Sequence, residues 1–278
     1  MTSHERTVDL KAYFRRIGFS GAASATLHTL ERLQSLHATS IAFENLDPLM
    51  KRPVSLSMPA LSAKFLEQKR GGYCFEHNTF FLGVLRALGF SVSGLAALVQ
   101  WNRPAAEFGP RIHMVLRVNL PEGTFLVDVG FGRLTLTSPL RLEPRIEQNT
   151  TLERFRIVPI NGDYQVQIEF SGRWSPVYQV SMQDVSPDDY DVYNWFTSTN
   201  PDVVFTSQLM AARPAKDRRY GLFNNELSIH HLNGTTEKQT LASPAELAAA
   251  LTDHFLIRLP DGCGPLLERL TRPKHHSG

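Results

Sequence analysis

The sequence predicts an α+β protein in three consecutive parts: a helical bundle, an antiparallel β-barrel or strongly bent sheet, and a mixed α/β segment. Three observations carry this. Apolar residues recur at three- and four-residue spacing as far as about residue 90. Beyond 91 the period falls to two, with short runs separated by turn residues such as Asn161-Gly162. From about 186 helical and strand patterns mix. The parts are set at 1–90, 91–195 and 196–278.

In the first part, Leu10, Tyr13, Phe14 and Ile17 form one stripe that Gly18 can close. Ser24 is the expected cap of a second helix carrying Leu27, Leu30 and Leu33. Ser57 and Pro59 start a third, with Leu61, Phe65 and Leu66. Between the second and third lies Ile41-Ala42-Phe43-Glu44-Asn45-Leu46-Asp47-Pro48, read as a loop that holds apolar side chains.

The middle part has candidate strands at 95–100, 112–119, 124–129, 154–158, 163–170 and 174–181. Asn161-Gly162 and Ser171-Gly172 mark hairpins, so successive strands are antiparallel neighbours. In the last part, 188–196 is a short helix and Ser198-Thr199-Asn200-Pro201 is loop chemistry. Residues 227–232 and 238–241 flank Asn233-Gly234 as a hairpin. Ser243-Pro244-Ala245-Glu246 is a capping box opening a helix through Leu247, Leu251 and Phe255, and 265–272 is a final helix.

Composition narrows the function. The chain has 278 residues and net charge +2, with 42% hydrophobic and 20% charged residues. That is ordinary for a globular protein with a large core. Lys and Arg are scattered rather than striped, which argues against nucleic acid as the main partner. No apolar run reaches membrane-spanning length, and the polar start Met1-Thr2-Ser3-His4-Glu5-Arg6 leads into no signal-like core. Cys74 and Cys263, far apart, fit a reduced cytoplasmic setting and are not expected to pair. Monomer and homodimer both remain open.

The chemistry centres on Arg70-Gly71-Gly72-Tyr73-Cys74-Phe75-Glu76-His77-Asn78, where two glycines turn the backbone into a helix. Cys74, Asn78, Phe81, Leu85 and Leu88 share its inner face. A helix start offers unpaired N–H groups and partial positive charge, and both favour thiolate over thiol. A free Cys is often a small buried hydrophobe, so a base and an orienting carboxylate are needed to make it a nucleophile.

His113 lies in an apolar strand, and Asp128 is the odd residue in Leu126-Val127-Asp128-Val129. If Leu120 pairs with Gly123, Asp128 falls opposite Val115. It is then a diagonal neighbour of His113, about 7–8 Å away at Cα and within side-chain reach. A three-residue loop without a bulge would put the two on opposite faces. The resulting set is Cys74 as nucleophile, His113 as base and Asp128 as its orienter. Gly130 and Gly132 follow directly and leave backbone open to a ligand.

The Cys74 motif resembles the active-site motif of the arylamine N-acetyltransferases. Three further segments resemble that family in the same order. They are Ile41-Ala42-Phe43-Glu44-Asn45-Leu46, the stretch 113–128 with Val129-Gly130-Phe131-Gly132, and 194–214 with Asn194-Trp195-Phe196, Phe205 and Ala212-Arg213-Pro214. Ala42 stands where the family usually has Pro, which touches loop stiffness.

The resemblance implies a cysteine-protease-like three-part fold of helical bundle, β-barrel and α/β lid. It also implies a ping-pong acetyl transfer from acetyl-CoA, through acetyl-Cys74, to arylamines, arylhydrazines or N-hydroxyarylamines, as in xenobiotic metabolism. Phe43, Tyr73, Phe131 and Phe205 are the implied lining of an apolar acceptor pocket, and Gly130 and Gly132 the implied passage for the pantetheine arm. The backbone N–H of Cys74 is one candidate oxyanion donor.

A zinc site needs ligands at coherent spacing. Cys74-Phe75-Glu76-His77 has no matching second pair, His230-His231 and His275-His276 are isolated, and no metal is expected. His77 is assigned to support of the helix start, Glu44 and Arg70 to a buried ion pair bracing the Cys74 loop, and Cys263 to a loop, with no role assigned. Relatives that close an amide within a polyketide, cysteine hydrolase or transglutaminase-like chemistry with the same three residues, and a non-catalytic binding module are the competing readings.

Overall fold

In the computed structural model, which describes residues 8–102, 109–170 and 172–272, the first apolar stripe forms α1 (Leu10–Ile17). Asp9 caps it by accepting the Ala12 N–H at 2.9 Å, and Gly18, at φ +71°, ends it. Helix α2 (Leu27–Ser40) is capped by Thr26, not Ser24. The Thr26 hydroxyl accepts the Thr29 N–H at 3.3 Å, while the Ser24 carbonyl is used in a turn to the Thr26 N–H.

The segment after α2 is more ordered than a connector. It holds strand β1 (Phe43–Glu44) and the one-turn helix α3 (Leu46–Leu49). Its sheet partner comes from the last third of the chain, which no local pattern announces. Ser57 starts α4 (Met58–Ser62), which runs into a π-turn at Ala63–Glu67, and α5 (Cys74–Ala87) follows.

All six expected middle strands form, with shifted ends: β2 (Ser91–Val99), β3 (His113–Leu120), β4 (Gly123–Val127), then β7 (Arg154–Ile160), β8 (Asp163–Phe170) and β9 (Arg173–Asp184). Two short strands are additional, β5 (Leu140–Arg141) and β6 (Glu147–Asn149). Of the two expected hairpin turns, Asn161-Gly162 joins β7 to β8. Ser171 of the second lies outside the described residues. The antiparallel order is β5-β4-β3-β2-β9-β8-β7-β6. The Gln148 side chain nearly closes this sheet into a barrel. Its amide imitates a strand by accepting the Arg141 N–H at 2.7 Å and donating to the Arg141 carbonyl at 2.9 Å.

Helix α6 (Pro187–Thr199) runs past the expected stop. Ser198 and Thr199 stay helical because their hydroxyls bond back to the Asn194 and Trp195 carbonyls at 2.8 and 2.6 Å. The lid sheet adds β10 (Met210–Pro214) and β11 (Arg218–Phe223), which the pattern does not signal, and β12 (Glu226–His231) and β13 (Thr236–Thr240), which it does. Its order is β1-β10-β11-β12-β13, so β1 ties the helical part to the lid. Helix α7 (Pro244–Asp253) ends before Phe255, and α8 (Gly264–Thr271) closes the fold. Cys263 lies in the loop as expected, directly before α8, but its side chain is buried in the lid core.

Strand β3 is covered on both faces. Met114, Leu116 and Val118 join the helical core, while Val115 packs inside the barrel. That explains the consecutive apolar residues Met114, Val115 and Leu116 and sets helix α5 directly against β3.

Candidate active site

The glycines before Cys74 are required by close approach. A Cβ at Gly71 would lie 1.9 Å from the Ala42 carbonyl oxygen, and one at Gly72 would lie 2.7 Å from the Glu76 carboxylate. The backbone therefore slides past β1 before α5 begins. The Tyr73 N–H donates to Glu76 Oε2 at 3.0 Å, which fixes the first turn. Cys74 is the first residue of α5, almost fully buried, and its Sγ lies 3.7 Å from the Ile112 carbonyl oxygen.

Strands β3 and β4 take the two-residue register, with Leu120 opposite Gly123 and Leu116 opposite Val127. Asp128 is the next residue, diagonal to His113. His113 Nε2 and Asp128 Oδ2 are 2.7 Å apart, and both side chains are buried. Nε2 is so engaged, and Cys74 and His113 line the same cavity. Burial by itself would lower the His113 pKa, but the Asp128 carboxylate outweighs it and, with Cys74, pushes the pKa up to about 10. The rings of Phe131 and Tyr178 flank His113 at 5.0 and 5.2 Å.

Asn78 clamps this arrangement, a role that its position on the inner face of α5 hints at but does not specify. Its Nδ2 donates to Asp128 Oδ1 at 3.0 Å and to the Met114 carbonyl at 2.8 Å, and its Oδ1 accepts the Val129 N–H at 3.1 Å. Asp128 Oδ1 also accepts the Gly130 N–H at 2.9 Å. Tyr178 was equally hidden from sequence reasoning, because it comes from a strand distant in the chain.

A cavity of about 940 Å³ opens beside these groups, lined by Phe43, Cys74, His113, Phe131 and Phe205 with Gly130 and Gly132 among the rest. Tyr73 is not at its wall. The structure places it behind Phe205, ring centroids 5.8 Å apart, with its hydroxyl bonded to Asn194. Nor is Gly130 open on every side: a Cβ there would lie 2.9 Å from Cys74 Cα, so its bareness lets α5 dock. At Gly132, with φ +82°, the nearest neighbour of a Cβ would be the Phe43 ring, at 3.5 Å.

Beneath the Cys74 loop is a buried ion cluster. Arg70 reaches Glu44 at 2.8 Å and Asp47 at 3.1 Å, and Lys64 reaches both Asp47 and Glu76 at 2.6 Å. The Glu44–Arg70 pair is the one expected from sequence; Asp47, Lys64 and Glu76 extend it. Burial raises the Glu76 pKa to about 7 against the opposing pull of Lys64. Among the described residues no group of His, Cys, Asp and Glu is arranged to hold a metal ion, and no helix is long and apolar enough to cross a membrane. His275 and His276 lie outside the described residues.

A family model described as N-acetyltransferase matches residues 26–262. The arylamine N-acetyltransferase of Mycobacterium tuberculosis is 41% identical over 258 residues, 91% of each chain. In Salmonella typhimurium, a protein named arylamine N-acetyltransferase / N-hydroxyarylamine O-acetyltransferase is 31% identical over 91% of this chain and 90% of its own. The solved structure of the Mycobacterium marinum arylamine N-acetyltransferase in complex with CoA superposes with a TM-score of 0.90, at 41% identity, covering 95% of this chain and 98% of that one.

Proposed function

The chain belongs to the arylamine N-acetyltransferase family of acetyltransferase enzymes, and from that premise we propose that it moves acetyl from acetyl-CoA to arylamines, arylhydrazines or N-hydroxyarylamines through a thioester on Cys74. The observation that carries the reading is the 2.7 Å bond between His113 and Asp128, with Cys74 beside the same ring at the cavity wall.

In the first half-reaction the Cys74 thiolate attacks the acetyl carbonyl. The carbon–sulfur bond to CoA breaks, and CoA leaves with a proton from imidazolium His113. In the second, the acceptor nitrogen, or the hydroxyl oxygen of an N-hydroxyarylamine, attacks acetyl-Cys74. His113 takes the proton lost by the acceptor, and Cys74 departs as thiolate. Asp128 keeps Nδ1 of His113 turned toward sulfur in both directions. The Cys74 N–H, at the first position of α5, is available to the oxyanion of each tetrahedral intermediate.

Acceptor chemistry supports the same reading. Arylamines are weak bases, neutral and nucleophilic at pH 7, and they suit an apolar wall such as Phe43, Phe131 and Phe205. The donor arm would pass the cavity edge at Gly130 and Gly132. The CoA complex of the Mycobacterium marinum relative supports acetyl-CoA as the donor.

Intact mass after mixing with acetyl-CoA, without acceptor, tests the proposal. One acetyl group on the wild type, none on Cys74→Ala, and its discharge by an arylamine are the expected results. Release of CoA with no acetyl-enzyme in either protein would sink the covalent route.

A further inference from the structure

Three buried polar side chains outside the site described above form a single file through the helical core. The Tyr13 hydroxyl is 3.0 Å from His37 Nδ1, His37 Nε2 is 2.9 Å from His77 Nδ1, and His77 Nε2 is 3.1 Å from the Ala42 carbonyl oxygen. All three side chains are inaccessible to solvent.

Only one proton arrangement satisfies them. A carbonyl can only accept, so His77 Nε2 carries hydrogen. Neutral His77 then accepts at Nδ1 from His37 Nε2–H, and His37 Nδ1 accepts from the Tyr13 hydroxyl. Burial fits this neutral state, lowering the pKa of His37 well below the usual range and that of His77 to about 4.

The file ends on the residue before Phe43. That short segment is held at every point. Glu44 donates its N–H to the Gly72 carbonyl at 2.7 Å. Asn45 donates to the Phe205 and Gln208 carbonyls at 2.8 and 2.7 Å and accepts the Met210 N–H at 2.7 Å. Phe43 and Phe205 face each other across the cavity wall with ring centroids 5.8 Å apart. His77 sits on the helix that begins with Cys74, so its bond to Ala42 sets the distance between the sulfur and this aromatic pair.

We infer that Tyr13, His37 and His77 are positioning residues for acceptor recognition, holding the Ala42–Asn45 segment so that Phe43 and Phe205 receive the acceptor's aromatic ring. The inference rests on the acetyl-transfer reading of the cavity. It assigns the file to ring binding and not to the thiol, whose Sγ faces the Ile112 carbonyl.

The test compares two acceptors on the acetyl-enzyme: phenylhydrazine, which needs the aromatic wall, and methylhydrazine, which does not. In His77→Phe the KM for phenylhydrazine should rise about fivefold to tenfold, with Cys74 acetylation and methylhydrazine turnover within about twofold of wild type. Tyr13→Phe should raise the same KM about twofold to threefold. His77→Gln, which can both donate and accept, should restore it.

Equal losses with both acceptors, or a lowered melting temperature with an unchanged phenylhydrazine KM, would overturn the inference. Should His77→Phe fail to fold, Tyr13→Phe decides it alone. A wild type that takes no acetyl from acetyl-CoA would overturn the transfer reading and this inference with it. A wild type that turns over, with KM unmoved in the variants, overturns only the inference.

Discussion

Asn78 Nδ2 lies 3.0 Å from Asp128 Oδ1, inside a pocket where neither side chain reaches water. The bond joins the helix of Cys74 to the strand end that follows His113. Asn78→Asp would set two buried carboxylates face to face and remove the donor to the Met114 carbonyl as well. A loss of about 2–4 kcal/mol in stability is expected, together with at least about tenfold slower acetylation of Cys74. Urea unfolding and a time course of intact mass measure the two effects. A stable variant with normal acetylation would deny Asn78 its clamp role.

His113 owes its charge to Asp128. Its pKa is raised to about 10 in the folded protein, against an ordinary value near 6.5 when unfolded. Its contribution to stability is therefore fully present below about pH 6.5 and is lost as pH rises through about 10. In Asp128→Asn that contribution disappears. The gap in urea midpoint between wild type and variant should then narrow steadily from pH 6 to pH 10. Alkylation by iodoacetamide at pH 7 should slow by at least about tenfold in the variant, because the imidazolium beside Cys74 is lost. A gap that stays constant with pH would mean that Asp128 does not set the His113 charge.

Arg70 is nearly inaccessible and serves two carboxylates, Glu44 and Asp47. Removing it leaves Glu44 buried with no cation at that distance. Arg70→Ala is expected to cost about 3–5 kcal/mol, whereas truncating exposed Arg86 should cost under about 0.5 kcal/mol. Thermal melting of the two variants in parallel is the check. Similar melting temperatures would show the cluster to be dispensable.

Much of this site was legible because its parts announce themselves locally. Two glycines before a helical stripe marked Cys74, and one carboxylate in an apolar strand marked Asp128. The turn at Pro121-Glu122 gave the register that lets His113 and Asp128 meet. What stayed hidden was non-local. Strand β1 takes its sheet partner from β10, far along the chain, and β5 and β6 are held near each other by one glutamine side chain. His37, Lys64 and Asn78 find their partners across long sequence separations, where periodicity carries no signal. Tyr73, expected at the cavity wall, lies off it for a similar reason: its partner, Asn194, comes from α6.

Gly130 and Gly132 look alike in sequence but differ in their surroundings, and substitution should separate them. A Cβ at Gly130 meets backbone at Cys74 Cα, 2.9 Å away, and the Asn78 and His77 side chains at 3.0 Å. None of these can swing aside, so the start of α5 must shift. Gly130→Ala is expected to fold with a loss of about 1–3 kcal/mol and to slow the acetylation rate constant about tenfold to a hundredfold. At Gly132 the nearest neighbour of a Cβ is the Phe43 ring at 3.5 Å, an ordinary contact, but φ is +82°. Gly132→Ala therefore costs about 1–2 kcal/mol of backbone strain and should act on the KM for acetyl-CoA more than on the rate constant. Saturation curves for acetyl-CoA with both variants read the split. If Gly130→Ala raises only KM, the contact between Gly130 and Cys74 does not position the sulfur, and the close packing at that point serves the fold alone.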